Sequence, residues 1–172
     1  MISLSKAEFN VISFLIRNFS KRFTIRNIAV SLEISAAGAH AALKKLELGG
    51  IVKAEKLGTG LFYELSLDNK VAKHLAAAVL LEFYAVGKID VSEIEKESKA
   101  ALFDGKKLLA VTNSSDKVKD ICYKKNIDAV CKTEEEFVSA LKGKEKEVLL
   151  ILEKGNVLFG EELIIEMIKK VK

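Results

Sequence analysis

Three helix-start signals stand within the first 35 residues of this chain, and two glycines close the segment after the third. Ser5, Thr24 and Ser35 each precede a segment with apolar residues at helical spacing. Side-chain oxygens at such positions accept hydrogen bonds from the free N–H groups of a helix's first turn. Gly49 and Gly50 follow the third segment, where glycine takes a positive φ most easily. The pattern predicts three short helices that share one core.

Apolar side chains recur at steps of three and four in these segments, as expected for amphipathic helices. The predicted stripes are Phe9, Ile12, Ile16 and Phe19 in the first helix and Ala39, Leu43 and Leu46 in the third. In the first helix, Glu8 lies three residues after Ser5, which is the spacing of a capping box. The turn before the third helix is expected around Glu33 and Ile34.

Two β-rich runs, IVKAEK and LFYELSL, follow the glycines, and LGTG between them suits the tip of a hairpin. A hairpin directly after three such helices is the wing of a winged helix. The segment from Ile25 to Leu67 resembles the winged-helix regulators of the MarR, ArsR and TrmB kind, down to the phrase LKKLELGGIV. The resemblance covers roughly residues 5 to 70, and it implies that the third helix enters the major groove of DNA.

The face of the third helix opposite its apolar stripe is mostly alanine. Alanine donates no hydrogen bond to a base edge, although its methyl group can contact a thymine methyl. We therefore expect modest sequence discrimination, with cations on phosphates supplying most of the affinity. The residues predicted to bind DNA are Arg26, Ser35, Ala36, Ala37, His40, Ala41, Lys44, Lys45, Lys56 and Thr59.

Other uses of this half of the chain stay open. A face of small residues suits close packing against another protein as well as a groove, and winged helices also act as protein- or RNA-interaction modules. After the wing, Asp68 is expected to cap a further helix. One side of that helix, a candidate surface for a homodimer, carries Val71, Leu75, Ala78, Leu81 and Ala85.

The net charge of +4 lies entirely in the first half. Residues 1–87 contain 11 Lys and Arg against 7 Asp and Glu, whereas residues 88–172 contain 17 of each sign. An excess of positive charge favours a polyanionic partner for the first half. We predict a domain boundary here, with a winged helix at 1–87 and a second domain at 88–172.

The second half alternates short extended runs with helical ones. Extended runs are predicted at AALF, KKLLAVTN, IDAVCK and NVLFG, and helices at VSEIEKES, SSDKVKDICYKKN, TEEEF, KGKEKEVLLILEKG and EELIIEMIKKVK. This order predicts a small two-layer α/β domain. The fold class expected for the whole chain is therefore α/β, of the α+β kind, with a winged helix-turn-helix domain first.

The order of these runs, with the phrase KGNVLFG before the last helix, is similar to the minimal nucleotidyltransferase domains of prokaryotes. That family needs a Gly-Ser turn for nucleotide phosphates and an Asp-x-Asp pair for magnesium. Here the turn is Phe103-Asp104-Gly105 and the next strand has no carboxylate, which leaves Asp128 alone. We expect a domain without catalytic activity that serves dimerisation, ligand sensing or partner binding. An active transferase with unusual residues, dependent on Asp128, is the alternative.

Several classes of protein are disfavoured by what the sequence lacks. No apolar run approaches the ~20 residues of a membrane span, and no signal peptide is evident, so we expect a cytoplasmic protein without a membrane partner. Cys122 and Cys131 are expected to be buried thiols. No phosphate-loop or dinucleotide motif occurs. We predict no catalytic residue, metal or cofactor. The predicted partners are double-stranded DNA, a second copy of the chain and an unidentified small-molecule effector.

Overall fold

The structure is a computed structural model, and it describes residues 4–81 and 90–172. The chain divides into two compact units, Met1–Val79 and Leu80–Lys172. The predicted boundary between residues 87 and 88 lies outside the described residues, so its position stays a prediction. The two units are described separately.

The first unit has the predicted order of three helices and a hairpin. Its elements are α1 (Lys6–Arg17), α2 (Ile25–Ser31), α3 (Ala36–Leu48), β1 (Val52–Leu57) and β2 (Gly60–Leu65). A further helix, α4 (Lys70–Leu80), follows the hairpin. Its cap is Asn69, whose Oδ1 accepts from the N–H groups of Val71 and Ala72, and not Asp68 as expected.

The helices α1, α2 and α3 begin at the caps that the sequence predicted. The Ser5 hydroxyl accepts from the Glu8 N–H, and the Glu8 carboxylate accepts from the Ser5 N–H, which completes the capping box. Thr24 and Asn27 form the same reciprocal pair at the start of α2. Each box satisfies two backbone N–H groups that a helix end otherwise leaves without a partner.

The core of the first unit joins α1, α2 and α3, and α3 contacts each of the other two helices. Ile12 and Ile16 of α1 are fully buried, as is Ile28 of α2. Phe9 and Phe19, also predicted on the stripe of the first helix, are half-buried, and Phe19 lies beyond α1, which ends at Arg17. The stripe predicted for α3 is buried in full: Ala39, Leu43 and Leu46 are each at most 1% exposed.

The hairpin after α3 has the tight turn that its glycines predicted. Val52 pairs with Leu65 and Leu57 with Gly60, so Gly58 and Thr59 form a two-residue turn. Gly58 has φ +59, and a positive φ at the first central position is the pattern of a type II′ turn. The Tyr63 N–H also donates to the Phe23 carbonyl at 2.9 Å, which ties the hairpin to the segment between α1 and α2.

The second unit contains four strands and five helices among its described residues. They are α5 (Ser92–Glu97), β3 (Ala100–Phe103), β4 (Lys107–Val111), α6 (Ser115–Lys124), β5 (Asp128–Lys132), α7 (Glu134–Lys142), α8 (Lys146–Lys154), β6 (Asn156–Phe159) and α9 (Glu161–Lys169). Every run predicted for this half is present. The sheet has the order β5-β4-β3-β6, with β4 and β5 parallel and the other neighbours antiparallel.

Helices cover both faces of this sheet. Ala101, Phe103, Leu108 and Ala110 pack on one face with Ile94 of α5 and with Val118 and Cys122 of α6. The alternate strand residues Ala100, Leu102, Leu109 and Val111 point to the other face and are also fully buried, and α8 and α9 contact β3 there. The α+β class is confirmed. The sequence predicted two layers, one sheet and one layer of helices, but the unit has three because helices pack on both faces of the sheet. Strands buried on both faces read as continuous apolar runs, whereas strands with one solvent face alternate. The runs AALF and LLAV are continuous, so they are consistent with the second helical layer that was not expected.

The phrase KGNVLFG, which carried the resemblance to nucleotidyltransferases, has a packing reason of its own. Gly160 starts α9 with φ +76, a left-handed conformation that glycine adopts without strain. A side chain on Gly160 would collide with the carbonyl of Lys99 and with Ala100. The glycine that ends the phrase is therefore required by close packing of backbone against β3.

Four helices in the described part of the chain end in the same Schellman turn. In each, the residue after the C-cap is left-handed, and two N–H groups donate back to carbonyls of the last turn. The left-handed residues are Glu33 after α2 (φ 53), Gly50 after α3 (φ 66), Asn126 after α6 (φ 55) and Lys144 after α7 (φ 53). Glycine or asparagine suits such positions, so Glu33 and Lys144 are there at a cost.

Replacing Glu33 with glycine should stabilise the first unit. A left-handed conformation costs an L-residue roughly 1–2 kcal/mol, and the extra freedom of glycine in the unfolded chain offsets about half of that. We expect Glu33→Gly to raise the free energy of opening of α2 by about 0.5–1 kcal/mol, measured by native-state amide hydrogen exchange.

The matched control reverses the change at the end of α3. Gly50→Ala should lower the free energy of opening by about 1 kcal/mol. An added Cβ at Gly50 would also lie 3.0 Å from Asn69 Nδ2, whose N–H group donates to the Gly50 carbonyl. A loss of protection in Glu33→Gly would show that the Glu33 side chain contributes more than its backbone strain costs.

Candidate nucleic-acid interface

Burial of one side of α3 determines which of its residues face outward. Because Ala39, Leu43 and Leu46 are held in the core, the helix cannot rotate about its axis without exposing them. The residues predicted to face outward are all exposed: Ala36, Ala37, His40, Ala41 and Lys44. With helical spacing they share one side of α3, named here the alanine face.

Two hydrogen bonds fix the start of α3, one within its first turn and one in the turn that precedes it. The Ser35 hydroxyl accepts from the Gly38 N–H at 3.0 Å, so this side chain caps the helix. Before it, the Ile34 N–H donates to the Ala29 carbonyl at 3.0 Å, which closes the turn from α2. Ser35 was predicted to bind DNA, and its hydroxyl is also occupied within the helix.

Lys45 lies apart from the alanine face. Its ammonium is 3.0 Å from each carboxylate oxygen of Glu8, on α1. Glu8 is only 5% exposed, whereas the Lys45 side chain remains 60% exposed. The same carboxylate caps α1 through the Ser5 N–H. The pair therefore links the cap of α1 to α3, and the structure gives Lys45 this contact in addition to its predicted role.

The surroundings of Glu8 favour its charged form. Burial by itself would raise the pKa of Glu8, but hydrogen bonds from Lys45 and Ser5 outweigh it, and the pKa lies below the ordinary value. A carboxylate with a lowered pKa stabilises the fold above its unfolded-state pKa, and this contribution is lost as the pH falls through the folded-state pKa.

Three other predicted cations lie on three different elements. Arg26 is the second residue of α2, Lys44 is on α3 and Lys56 is near the end of β1. All three are exposed, and none forms a salt bridge with a residue that the structure describes. Thr59, at the tip of the hairpin, is exposed too. These side chains are accessible to phosphates.

Other charges of the hairpin are paired. Lys53 lies opposite Glu64 in the register and forms a salt bridge with it at 2.9 Å, and Arg22 pairs with Glu55 at 2.9 Å. The Glu64 carboxylate, which accepts a hydrogen bond from Lys53, raises the pKa of that ammonium. Because these cations are paired with carboxylates, fewer Lys and Arg side chains are available to a polyanionic partner than the sequence alone suggests.

Two large apolar side chains are exposed on or near α3. Val30 of α2 is 71% exposed and Leu48, at the end of α3, is 82% exposed. Glu47 is exposed beside Leu48, so the end of α3 is less suited to phosphates than its beginning. Leu48 lies outside the stripe predicted from periodicity, which comprises Ala39, Leu43 and Leu46, and its exposure agrees with that prediction.

The stripe predicted on the helix after the wing lies on its exposed side. Val71 and Leu81 are 39% and 38% exposed, Ala78 is exposed and Leu75 is half-buried. The buried side of α4 is instead formed by Ala72, Ala76, Val79 and Leu80. Ala85, the last residue of the predicted stripe, lies outside the described residues. The stripe is thus open to a partner along the described part of α4.

The carboxylates considered for catalysis have structural positions in the second unit. Asp104 Oδ1 accepts from the N–H groups of Lys106 and Lys107, at 2.9 and 2.8 Å, and so forms the turn between β3 and β4. Burial by itself would raise the pKa of Asp104, but these backbone bonds outweigh it and the pKa is lowered. Asp128 is the exposed first residue of β5. No carboxylate lies on β4.

Cys122 is buried and Cys131 is half-buried, and both are free thiols whose pKa burial raises. Among the residues that the structure describes, no group of three or more His, Cys, Asp and Glu side chains could hold a metal ion. Nor does any helix of residues 4–81 and 90–172 have the length and apolar content to cross a bilayer.

Comparison with known proteins gives little similarity. No protein-family profile matches the chain, and no curated protein matches it significantly. Among solved structures, two single-substitution mutants of Lactococcus lactis ZitR are similar, each at 18% identity and a TM-score of 0.38. The alignments cover 83% and 84% of this chain and 76% and 77% of the ZitR chains. A TM-score this low does not establish a shared fold.

The contact between Glu8 and Lys45 predicts a pH-dependent contribution to stability. Glu8→Gln removes the charge and should lower the free energy of unfolding at pH 7 by about 1–2 kcal/mol, the range for hydrogen bonds to charged groups. Since protonation breaks the same contact in the parent protein, the difference should shrink as the pH falls below about 4.5, the ordinary pKa of glutamate.

Denaturant unfolding of the full chain at pH 7, 5, 4 and 3 measures this difference. Glu47→Gln on the exposed side of α3 is the matched control, and its effect should stay within about 0.5 kcal/mol at every pH. A Glu8→Gln effect that is equal at pH 7 and pH 3 would contradict an electrostatic role for the pair.

Proposed function

We propose that this protein is a DNA-binding transcriptional regulator that contacts double-stranded DNA with α3 and the hairpin. The observation that carries the proposal is the alanine face. From Ala36 to Lys44 the exposed side of α3 carries no acidic residue, and the opposite side is a fully buried stripe. The helix belongs to a unit of three helices and a wing. A helix held in this way can present its outer side to a major groove.

The side chains of the interface favour binding to the DNA backbone over recognition of bases. Arg26, Lys44 and Lys56 are exposed cations without a salt bridge to any described residue, and each can neutralise a phosphate. Of the outward residues of α3, only His40 and Lys44 can hydrogen-bond to a base edge. Alanine methyl groups allow close approach and contact with thymine methyl groups.

A homodimer would compensate for weak recognition by each subunit, since two linked contacts multiply in affinity. The exposed apolar side of α4 supports this part of the proposal, because Val71 and Ala78 are exposed on it and Leu81 is exposed directly after it. A two-fold arrangement would also match two half-sites on DNA.

The predicted order of elements in the second unit resembles that of a nucleotidyltransferase. We propose that this unit has no catalytic activity and serves dimerisation, ligand sensing or partner binding. Two observations support this. Asp104 is used in a turn, and β4 provides no carboxylate to act with Asp128 on a metal ion. In this account the protein works in the cytoplasm, without a cofactor.

Fluorescence anisotropy with DNA from upstream of its own gene and with a scrambled duplex tests DNA binding. We expect binding to both that weakens with salt, and a preference below about a hundredfold, less than the ~10³ that marks most specific binders. Lys44→Gln should weaken binding to both duplexes equally and reduce the slope of log K against log salt by about 1 for each bound subunit.

Lys124→Gln is the matched control, because Lys124 is an exposed lysine on α6 of the other unit. It should leave the affinity and the salt slope unchanged. Absence of binding to either duplex at low salt would refute the proposal and favour a protein- or RNA-interaction module. A preference far above a hundredfold would show that α3 recognises bases in a way that alanines do not explain.

Replacing thymine by uracil in the duplex tests the alanine face directly, because uracil lacks only the methyl group. If alanine methyls contact thymine methyls, each lost contact should cost about 0.8 kcal/mol, or about fourfold in affinity. Single replacements along the bound duplex, measured by anisotropy, should locate these positions, with flanking replacements as controls. Equal affinity for every uracil duplex would rule out methyl contacts while leaving phosphate binding intact.

A further inference from the structure

The second unit contains an open cavity of about 810 Å³ that the proposed DNA contacts do not use. It lies where the parallel strands β4 and β5 end: Asn113 follows β4, and Thr133 directly follows β5. In α/β sheets, ligands bind outside the carboxyl ends of such strands. The volume is in the range of small-molecule sites, roughly 300–1,000 Å³.

Three lysines from different elements line this cavity. Lys99 precedes β3, Lys142 is the last residue of α7 and Lys170 is the C-cap of α9. Lys99 is already engaged, because its ammonium lies 2.6 Å from Glu134 Oε1. Lys142 and Lys170 form no salt bridge with a described residue, although both are exposed on the cavity wall.

Charged groups on the cavity wall influence one another. The hydrogen bond from Lys99, together with the nearby charges of Lys99 and Lys170, lowers the pKa of Glu134. Lys170 is therefore near enough to act on the carboxylate that Lys99 holds. With Lys99 and Glu134 cancelling, two ammonium groups remain against one carboxylate, Glu135.

We propose that this cavity binds a phosphate monoester of a small polar molecule. A phosphate monoester offers three strong acceptor oxygens and close to two negative charges at neutral pH, so it can engage Lys142 and Lys170 at once, whereas a carboxylate offers only two oxygens and one charge. Ser139 and Asn113 on the wall can hydrogen-bond to the rest of the ligand, and Glu135 can accept from its hydroxyl or amino groups. The lining contains mainly polar side chains, with Val138 as an apolar exception.

Isothermal titration of the full chain, without DNA, tests the site with three probes: inorganic phosphate, glucose 6-phosphate and adenosine 5′-monophosphate. Glucose and adenosine are the controls without phosphate. We expect saturable binding of at least one phosphate ester with one site per chain, and no binding of the parent molecules. Lys142→Gln combined with Lys170→Gln should weaken binding at least about tenfold.

Lys124→Gln, a lysine away from the cavity, should bind as the parent protein does. The proposal is overturned if none of the three probes binds, if the parent molecules bind as well as their esters, or if the double variant retains full affinity. Unfolding of the double variant measured by circular dichroism separates lost binding from lost structure, and the single variants then decide. Because DNA is absent, failure here is independent of DNA binding by the first unit.

Discussion

The burial of Ala39, Leu43 and Leu46 fixes which side of α3 faces outward, and the proposed function depends on that orientation. Burying one stripe forces the opposite one into solvent, since a helix presents the two on opposite sides. The Glu8–Lys45 contact acts in the same sense, because it joins α3 to the capped start of α1. The same residues that stabilise the unit thus define the surface that it presents.

On that surface, contacts with the DNA backbone have to supply most of the binding affinity. Where alanines replace long polar side chains, the affinity has to come from cations, and the structure divides the cations into two groups. Lys45, Lys53 and Arg22 have carboxylate partners, whereas Lys44 and Arg26 have none among the described residues. Paired charges contribute less to a phosphate contact, because an existing interaction must be given up first. The second unit shows the same division, with Lys99 paired and its neighbours at the cavity open.

Local signals made most elements predictable from the sequence. The caps at Ser5, Thr24 and Ser35 each form as expected, because a capping bond involves residues three apart and needs no tertiary context. Strand order could not be predicted, since it depends on contacts distant in sequence. The partner of Lys45 belongs to the same class: Glu8 is 37 residues away. The resemblance based on KGNVLFG is accounted for by the packing of Gly160, which gives that phrase no necessary link to nucleotide chemistry.

The orientation of α3 toward DNA is tested by mapping amide chemical shifts in the ¹⁵N-labelled full chain while duplex DNA is added stepwise. We expect the largest changes at Ala36, Ala37, His40, Ala41 and Lys44, with Thr59 at the hairpin tip, and little change in the residues of α6. Changes confined to α4 or to the second unit, with the alanine face unaffected, would contradict this orientation.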